Sequence, residues 1–173
     1  MAPKVVYETD RLVVRDWADS DGDRVFDIYR RWEVSRWLGA DPRVMTDRDA
    51  ATRVIERWNT RNEDPVHGIW AVEEKASGTV AGTVLLVPLP EGPSSAGEVE
   101  VGWHFHPDAW GRGLATEAAR GAIGHGFKAG LGEIHAVVRP DNAPSLAVCR
   151  RLGMRPLGLT GRWYGAELEA FVI

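Results

Sequence analysis

Only one cysteine, Cys149, occurs in the 173 residues. A single thiol excludes an internal disulfide and a thiolate-rich zinc site. Long apolar runs are missing too. None approaches the roughly 18 to 20 residues of a membrane span, and the N-terminus lacks the apolar core of a secretory leader. A cytoplasmic protein with no membrane partner is therefore expected. There is no surplus of positive charge: 21 Lys and Arg against 25 Asp and Glu give a net charge of -4. That balance gives no electrostatic reason for a nucleic-acid partner. His67, His104, His106, His125 and His135 show no metal-ligand spacing, so no metal is expected, and His125 is placed on the outer part of its helix. Repeats and low-complexity tracts are also missing.

Apolar residues at 44% and charged residues at 27% are ordinary for a soluble globular chain. The length fits one domain, 1–173, with a full core. Eight tryptophans are many for this size. Most are assigned to the core because indole carries a large apolar area.

The periodicity predicts a first strand over 5–16, interrupted at Thr9-Asp10, then a helix over 19–31 with Val25, Ile28, Tyr29 and Trp32 at helical spacing. A short helix over 33–38 follows. A third helix runs from about 47 to 62, opened by Thr46-Asp47-Arg48-Asp49, with Ala51, Val54, Ile55 and Trp58 inward. Strands over 69–74 and 79–87 form a hairpin, and 88–96 reads as a Pro/Gly/Ser-rich loop. A strand over 98–105, a helix over 114–129 and a strand over 134–138 imply one parallel crossover. A helix begins near Pro144 and ends at Gly153. Strands over 154–159 and 167–173 close the chain. The expected fold is α/β: a mixed, mostly antiparallel sheet with helices on both faces and one parallel crossover.

The junction between the strand over 98–105 and the next helix carries Trp110-Gly111-Arg112-Gly113-Leu114-Ala115-Thr116-Glu117. The first N–H groups of a helix lack intrahelical partners, and the helix dipole adds partial positive charge there. Glycines let a ligand approach the backbone. Such a junction suits a phosphate or pyrophosphate, but a tight strand-to-helix turn with no ligand explains the glycines equally well. The dinucleotide fingerprint fails because Thr116 stands where a third glycine is needed, and no P-loop Lys follows.

Three motifs in order resemble the GNAT N-acetyltransferase superfamily, nearest its branch of ribosomal-protein N-terminal (alanine/serine) acetyltransferases. Thr9-Asp10-Arg11-Leu12-Val13-Val14-Arg15 is similar to that branch's opening strand. Val101-Gly102-Trp103, His106-Pro107 and 110–118 look like its acetyl-CoA motif, and Asn142-Ala143-Pro144-Ser145 with Leu152-Gly153-Met154 looks like its later signature. The resemblance implies a GNAT-like fold whose parallel strands splay into a cofactor gap. It implies acetyl-CoA as acetyl donor, its pyrophosphate on the N–H groups of Gly111, Arg112, Gly113, Leu114, Ala115 and Thr116, with Trp110 as the branch's mark. It also implies that Trp103, His104 and Phe105 offer backbone groups to the pantetheine arm, that Asn142 bonds that arm and that Ser145 assists. Trp32, Trp37, Trp163 and Tyr164 fall where the superfamily builds its acceptor site; core packing or loop anchoring is the other reading. Where many members carry a proton-donating Tyr, this chain has Cys149. Where some carry a Glu, it has Val137.

Amine acetylation needs a group that accepts the ammonium proton. On the strand over 98–105, Glu98, Glu100, Gly102 and His104 share one face. Glu100 is the first candidate base, and a solvated polar face is the competing reading. Cys149 could protonate the departing thiolate; packing as a small apolar group is the alternative. The expected function is acetyl transfer from acetyl-CoA to a primary amine, of a small molecule or a protein N-terminus, by direct transfer in a ternary complex. The expected form is a monomer or homodimer. A non-catalytic coenzyme A-binding sensor is the rival of another class, and a nucleotide-binding protein is a third reading.

Overall fold

The computed structural model describes residues 2–90 and 97–173. The expected loop over 88–96 lies mostly outside the described residues. The strands are β1 (Val5–Glu8), β2 (Leu12–Arg15), β3 (Gly68–Glu74), β4 (Val80–Pro88), β5 (Val99–Phe105), β6 (His135–Val138), β7 (Arg155–Thr160) and β8 (Leu168–Val172). The helices are α1 (Gly22–Tyr29), α2 (Trp32–Ser35), α3 (Arg48–Arg61), α4 (Leu114–Lys128) and α5 (Ala143–Arg151). The strands form one sheet in the order β1-β2-β3-β4-β5-β6-β8-β7. Among the described residues only the β5–β6 pairing is parallel, so the mixed sheet with one crossover is as the periodicity predicts.

The two sheet faces carry separate cores. Trp70 and Val72 of β3 join Val99, Val101 and Phe105 of β5 beneath α4 and α5. Ala71, between them in sequence, packs instead with Val25, Ile28, Ala51 and Ile55 of α1 and α3. A period of two sends neighbours to opposite faces, and both faces are covered. Each fully buried Ile or Leu contributes roughly 1.5–3 kcal/mol.

Caps set the helix starts. The Asp47 side chain accepts from the Asp49 N–H (2.9 Å) and opens α3. Asn142 caps α5, with Pro144 in its first turn, and Gly153 follows with φ +76°. On α4, small residues bring the helix close to the sheet. A Cβ on Gly121 would lie 2.2 Å from the Tyr7 ring, whose hydroxyl donates to the Ala118 carbonyl (2.6 Å).

Several expectations need correction. The first strand is an antiparallel hairpin, β1 with β2, because Thr9 and Asp10 turn the chain rather than interrupt it. The helix expected over 19–31 begins as a 3-10 turn at Asp19–Asp21. His125 packs inward against Tyr7 and Trp70, with ring centroids 6.4 and 5.5 Å away, since β1 supplies aromatic cover that α4 alone does not reveal. The last two strands pair, but β8 inserts between β6 and β7, leaving β7 at the edge.

Candidate active site

β5 and β6 meet at one register pair, Glu100 opposite His135. Beyond it β5 runs on to Phe105 and β6 to Val138 without further pairing to each other. Strand N–H and C=O groups left open in such a gap are ready for an extended ligand. A cavity of about 1050 Å³ is lined by Trp103, His104 and Phe105 of β5 and by Asn142, Ser145 and Val148 across the gap. The Trp103 indole N–H donates to Ser145 Oγ (3.3 Å) and ties the two sides together.

At one end the cavity meets the start of α4. Gly113 is the N-cap residue, with φ +76° and no side-chain cap, and Gly111 has φ +71°. Side chains there would cost roughly 1–2 kcal/mol each in backbone strain. A Cβ on Gly111 would meet nothing within 4 Å, so conformation rather than space requires this glycine. Thr116 lines the cavity, and its buried hydroxyl has no hydrogen-bond partner among the described residues. Uncapped amides and an orphan hydroxyl together fit a pyrophosphate, whose oxygens accept from both.

Distant residues brace this loop. Arg11 pairs with Glu117 (2.6 Å) and donates to the Arg112 carbonyl (2.8 Å); Thr9 donates to Glu117 (2.6 Å). The β1–β2 turn is thereby fastened to the first turn of α4. The Trp110 indole donates back to the Phe105 carbonyl (2.9 Å). His106 sits between two carboxylates, its Nε2 2.8 Å from Asp27 and its Nδ1 2.9 Å from the Asp108 carboxylate and 3.1 Å from the Asp108 backbone N.

The polar face of β5 is largely covered: Glu100 is buried, and His104 is half-buried where it meets the cavity. Tyr164, on the loop between β7 and β8, donates its hydroxyl to Glu100. Burial pushes the Glu100 carboxyl up to about 7, and the Tyr164 bond works against that shift. His104 hydrogen-bonds Tyr29 through Nδ1 (3.0 Å), and Tyr29 bonds Thr83 (2.8 Å). Burial lowers the His104 imidazole to about 4. Glu98 pairs with Arg162 (2.7 Å).

Of the residues assigned to the acetyl-CoA site, Trp103, His104, Phe105, Trp110, Gly111, Gly113, Leu114, Ala115, Thr116, Asn142 and Ser145 line the cavity. Arg112 does not; its guanidinium turns away to Glu74 (2.9 Å). Of the four aromatics assigned to the acceptor, Trp37 alone lines the cavity. Trp32 lies on the surface, 54% exposed. Trp163 is buried with Leu89 and Ala170, and Tyr164 covers Glu100. Glu100 itself lies at the foot of the gap, outside the lining residues. Cys149 is fully buried in the core and also outside the lining, with its thiol pushed up to about 12 by burial. Glu33, Val34 and Leu38 are lining residues that sequence reasoning passed over. Arg11 and Glu117 lay within quoted motifs, but nothing local linked one to the other.

Known proteins show the same architecture. Residues 11–155 match the acetyltransferase (GNAT) domain model. The chain is 28% identical over 155 residues to YoaA of Bacillus subtilis, named an uncharacterized N-acetyltransferase, covering 89% of this chain and 85% of that one. Among solved structures, RimL, a ribosomal L7/L12 alpha-N-protein acetyltransferase, superposes with a TM-score of 0.80 at 12% identity, covering 100% of this chain and 95% of that one. The microcin C7 self-immunity acetyltransferase MccE, solved with acetyl-CoA and AMP, gives 0.76 at 15% identity, covering 95% and 93%. At such identities the structures speak for the fold alone, and the family match over most of the chain carries the assignment: this protein belongs to the GNAT acetyltransferases and is an acyltransferase.

Proposed function

We propose that the chain is a single N-acetyltransferase domain, 1–173, that moves the acetyl group of acetyl-CoA directly to a primary amine in a ternary complex. The observation that carries this reading is the splay of β5 from β6 beside the uncapped start of α4, both walls of one cavity. The donor's thioester supplies the activated acetyl group. Trp103, His104 and Phe105 hold the pantetheine arm through their backbone. Gly111, Gly113, Leu114, Ala115 and Thr116 hold the pyrophosphate, and Asn142 and Ser145 close the far side. Trp37, with Val34, Leu38 and Glu33, forms the acceptor end, which suits an amine on a small molecule or a protein N-terminus.

Glu100 is the proton acceptor, reached from the gap through water or the Tyr164 hydroxyl. A carboxyl at about 7 is matched to accepting a proton near neutral pH. Cys149 serves packing, since its place in the core keeps it from the thiolate. Thiol release from acetyl-CoA over a panel of primary amines and peptide N-termini tests the reading. Amine-dependent release is expected. Tight acetyl-CoA binding without release on any amine would point to a coenzyme A sensor instead.

A further inference from the structure

Three side chains run in one hydrogen-bonded line from the core to the cavity: Thr83 on β4, Tyr29 on α1 and His104 on β5. Thr83 is fully buried, and Tyr29 nearly so. His104 lines the cavity, whereas Thr83 and Tyr29 do not. Its Nδ1 is taken by Tyr29, and among the described residues the ring's side-chain hydrogen bond does not use Nε2. The imidazole meets the Tyr29 ring edge-on at 87°, so its plane is fixed.

The direction of the protons along this line follows from counting acceptors. Suppose the Nδ1–H donated to Tyr29 and Tyr29 donated to Thr83. The Thr83 proton would then have no acceptor, because Thr83 has no other side-chain bond among the described residues and no access to water. Leaving a buried donor unpaired is expensive relative to a made bond. In the reverse direction no buried hydroxyl proton is left over: Thr83 donates to Tyr29, Tyr29 donates to Nδ1, and the imidazole proton sits on Nε2 of a ring that lines the cavity. Burial keeps the ring neutral, so it stays in this form at working pH.

We propose that His104 is locked as the neutral Nε2–H tautomer and donates that hydrogen bond to the acetyl carbonyl oxygen as negative charge builds on it, with Tyr29 and Thr83 as positioning residues. The proposal rests on the acetyltransferase reading of the cavity. As the amine nitrogen forms its bond to the carbonyl carbon, the carbonyl π pair moves onto oxygen. Its return breaks the C–S bond. The amine proton leaves toward Glu100 or water, the thiolate takes a proton from solvent, and the imidazole keeps its own. A fixed neutral donor facing developing charge is worth most in a water-poor site. This assigns His104 a donor's role, opposite to that of a base.

The test has two independent arms. Nitrogen-15 NMR of the ligand-free protein reads the tautomer: one neutral Nε2–H form is expected for wild type, and a mixture for Tyr29→Phe. A protonated Nδ1 in wild type would overturn the proposal whatever the enzyme does. In kinetics, His104→Leu should lower kcat about 100- to 1,000-fold, with KM for the amine and acetyl-CoA affinity nearly unchanged and the loss constant across pH. His104→Gln, which can place an N–H near the same point, should recover part of it. A raised acceptor KM with kcat intact would mean that His104 holds the acceptor, and a loss that shrinks at high pH would mean that it is a base; either result sinks the assignment. If wild type turns over no amine while the NMR arm gives Nε2–H, the function reading has failed and the tautomer has not.

Discussion

The Tyr164 hydroxyl donates to the Glu100 carboxylate across 64 residues of sequence. Tyr164 does so with φ +59°, the one described residue other than glycine with positive φ. A bulky residue held there costs roughly 1–3 kcal/mol and persists only where its surroundings impose it. The bond to a buried carboxylate is the structural feature that coincides with the strain.

Replacing the carboxylate tests both its chemistry and its burial. Glu100→Gln should reduce turnover by at least about 100-fold, the lower end for loss of a general base, with acetyl-CoA affinity preserved. The deficit should narrow at high pH as the amine loses its proton unaided. Overlaid pH–rate profiles for wild type and variant would reduce Glu100 to a structural carboxylate.

Burial of Glu100 also makes folding stability depend on pH. Its carboxyl is raised from 4.5 to about 7, so the folded state favours the protonated form. The stabilising contribution is complete below about 4.5 and is lost as pH rises through about 7, amounting to about 3 kcal/mol. Denaturant titrations at several pH values should show this fall in wild type and not in Glu100→Gln. An equal slope in both proteins would assign the effect elsewhere.

Tyr164→Phe keeps the ring that covers Glu100 and removes the bond that favours its charged form. The Glu100 carboxyl should rise further, and the acidic limb of the kcat/KM profile should move to higher pH. If the limb stays in place, Tyr164 acts by packing alone.

Gly113→Val forces a branched residue into φ +76° at the start of α4. A Cβ there would lie 3.5 Å from Arg11 Nη2, an ordinary contact, so the fold should survive with a loss of about 1–3 kcal/mol. Acetyl-CoA affinity should drop at least about tenfold by calorimetry. Unchanged affinity would remove this loop from the donor site.

Cys149→Ala should leave turnover within about twofold of wild type while costing about 1 kcal/mol of stability, as for loss of a small buried group. A large loss of kcat at intact stability would restore the thiol as a proton source.

What the sequence settled by itself was local. A period of two along β5 separated Glu100 and His104 from Val101 and Phe105, and Gly111 with Gly113 marked a start of α4 that no side chain caps. Asp47 and Pro144 announced their helices because start signals act over two or three residues, whereas the cap from Asn142 came with the structure. Only the tertiary structure decided what covers each face. Alternation divides a strand into two faces without saying what packs on either, so Glu100 and His104 could as well have faced water. Tyr164 and Tyr29, brought in from a distant loop and helix, cover that face, burying Glu100 and leaving His104 half-buried at the cavity. Arg11 reaches Glu117 across 106 residues, and Trp37, just past α2, lines the cavity where Trp32, within that single turn, does not. The physical reason is the same throughout: caps and periods arise from bonds a few residues apart, whereas burial, and with it the proton affinity of Glu100 and the tautomer of His104, depends on side chains that meet only when the sheet is assembled.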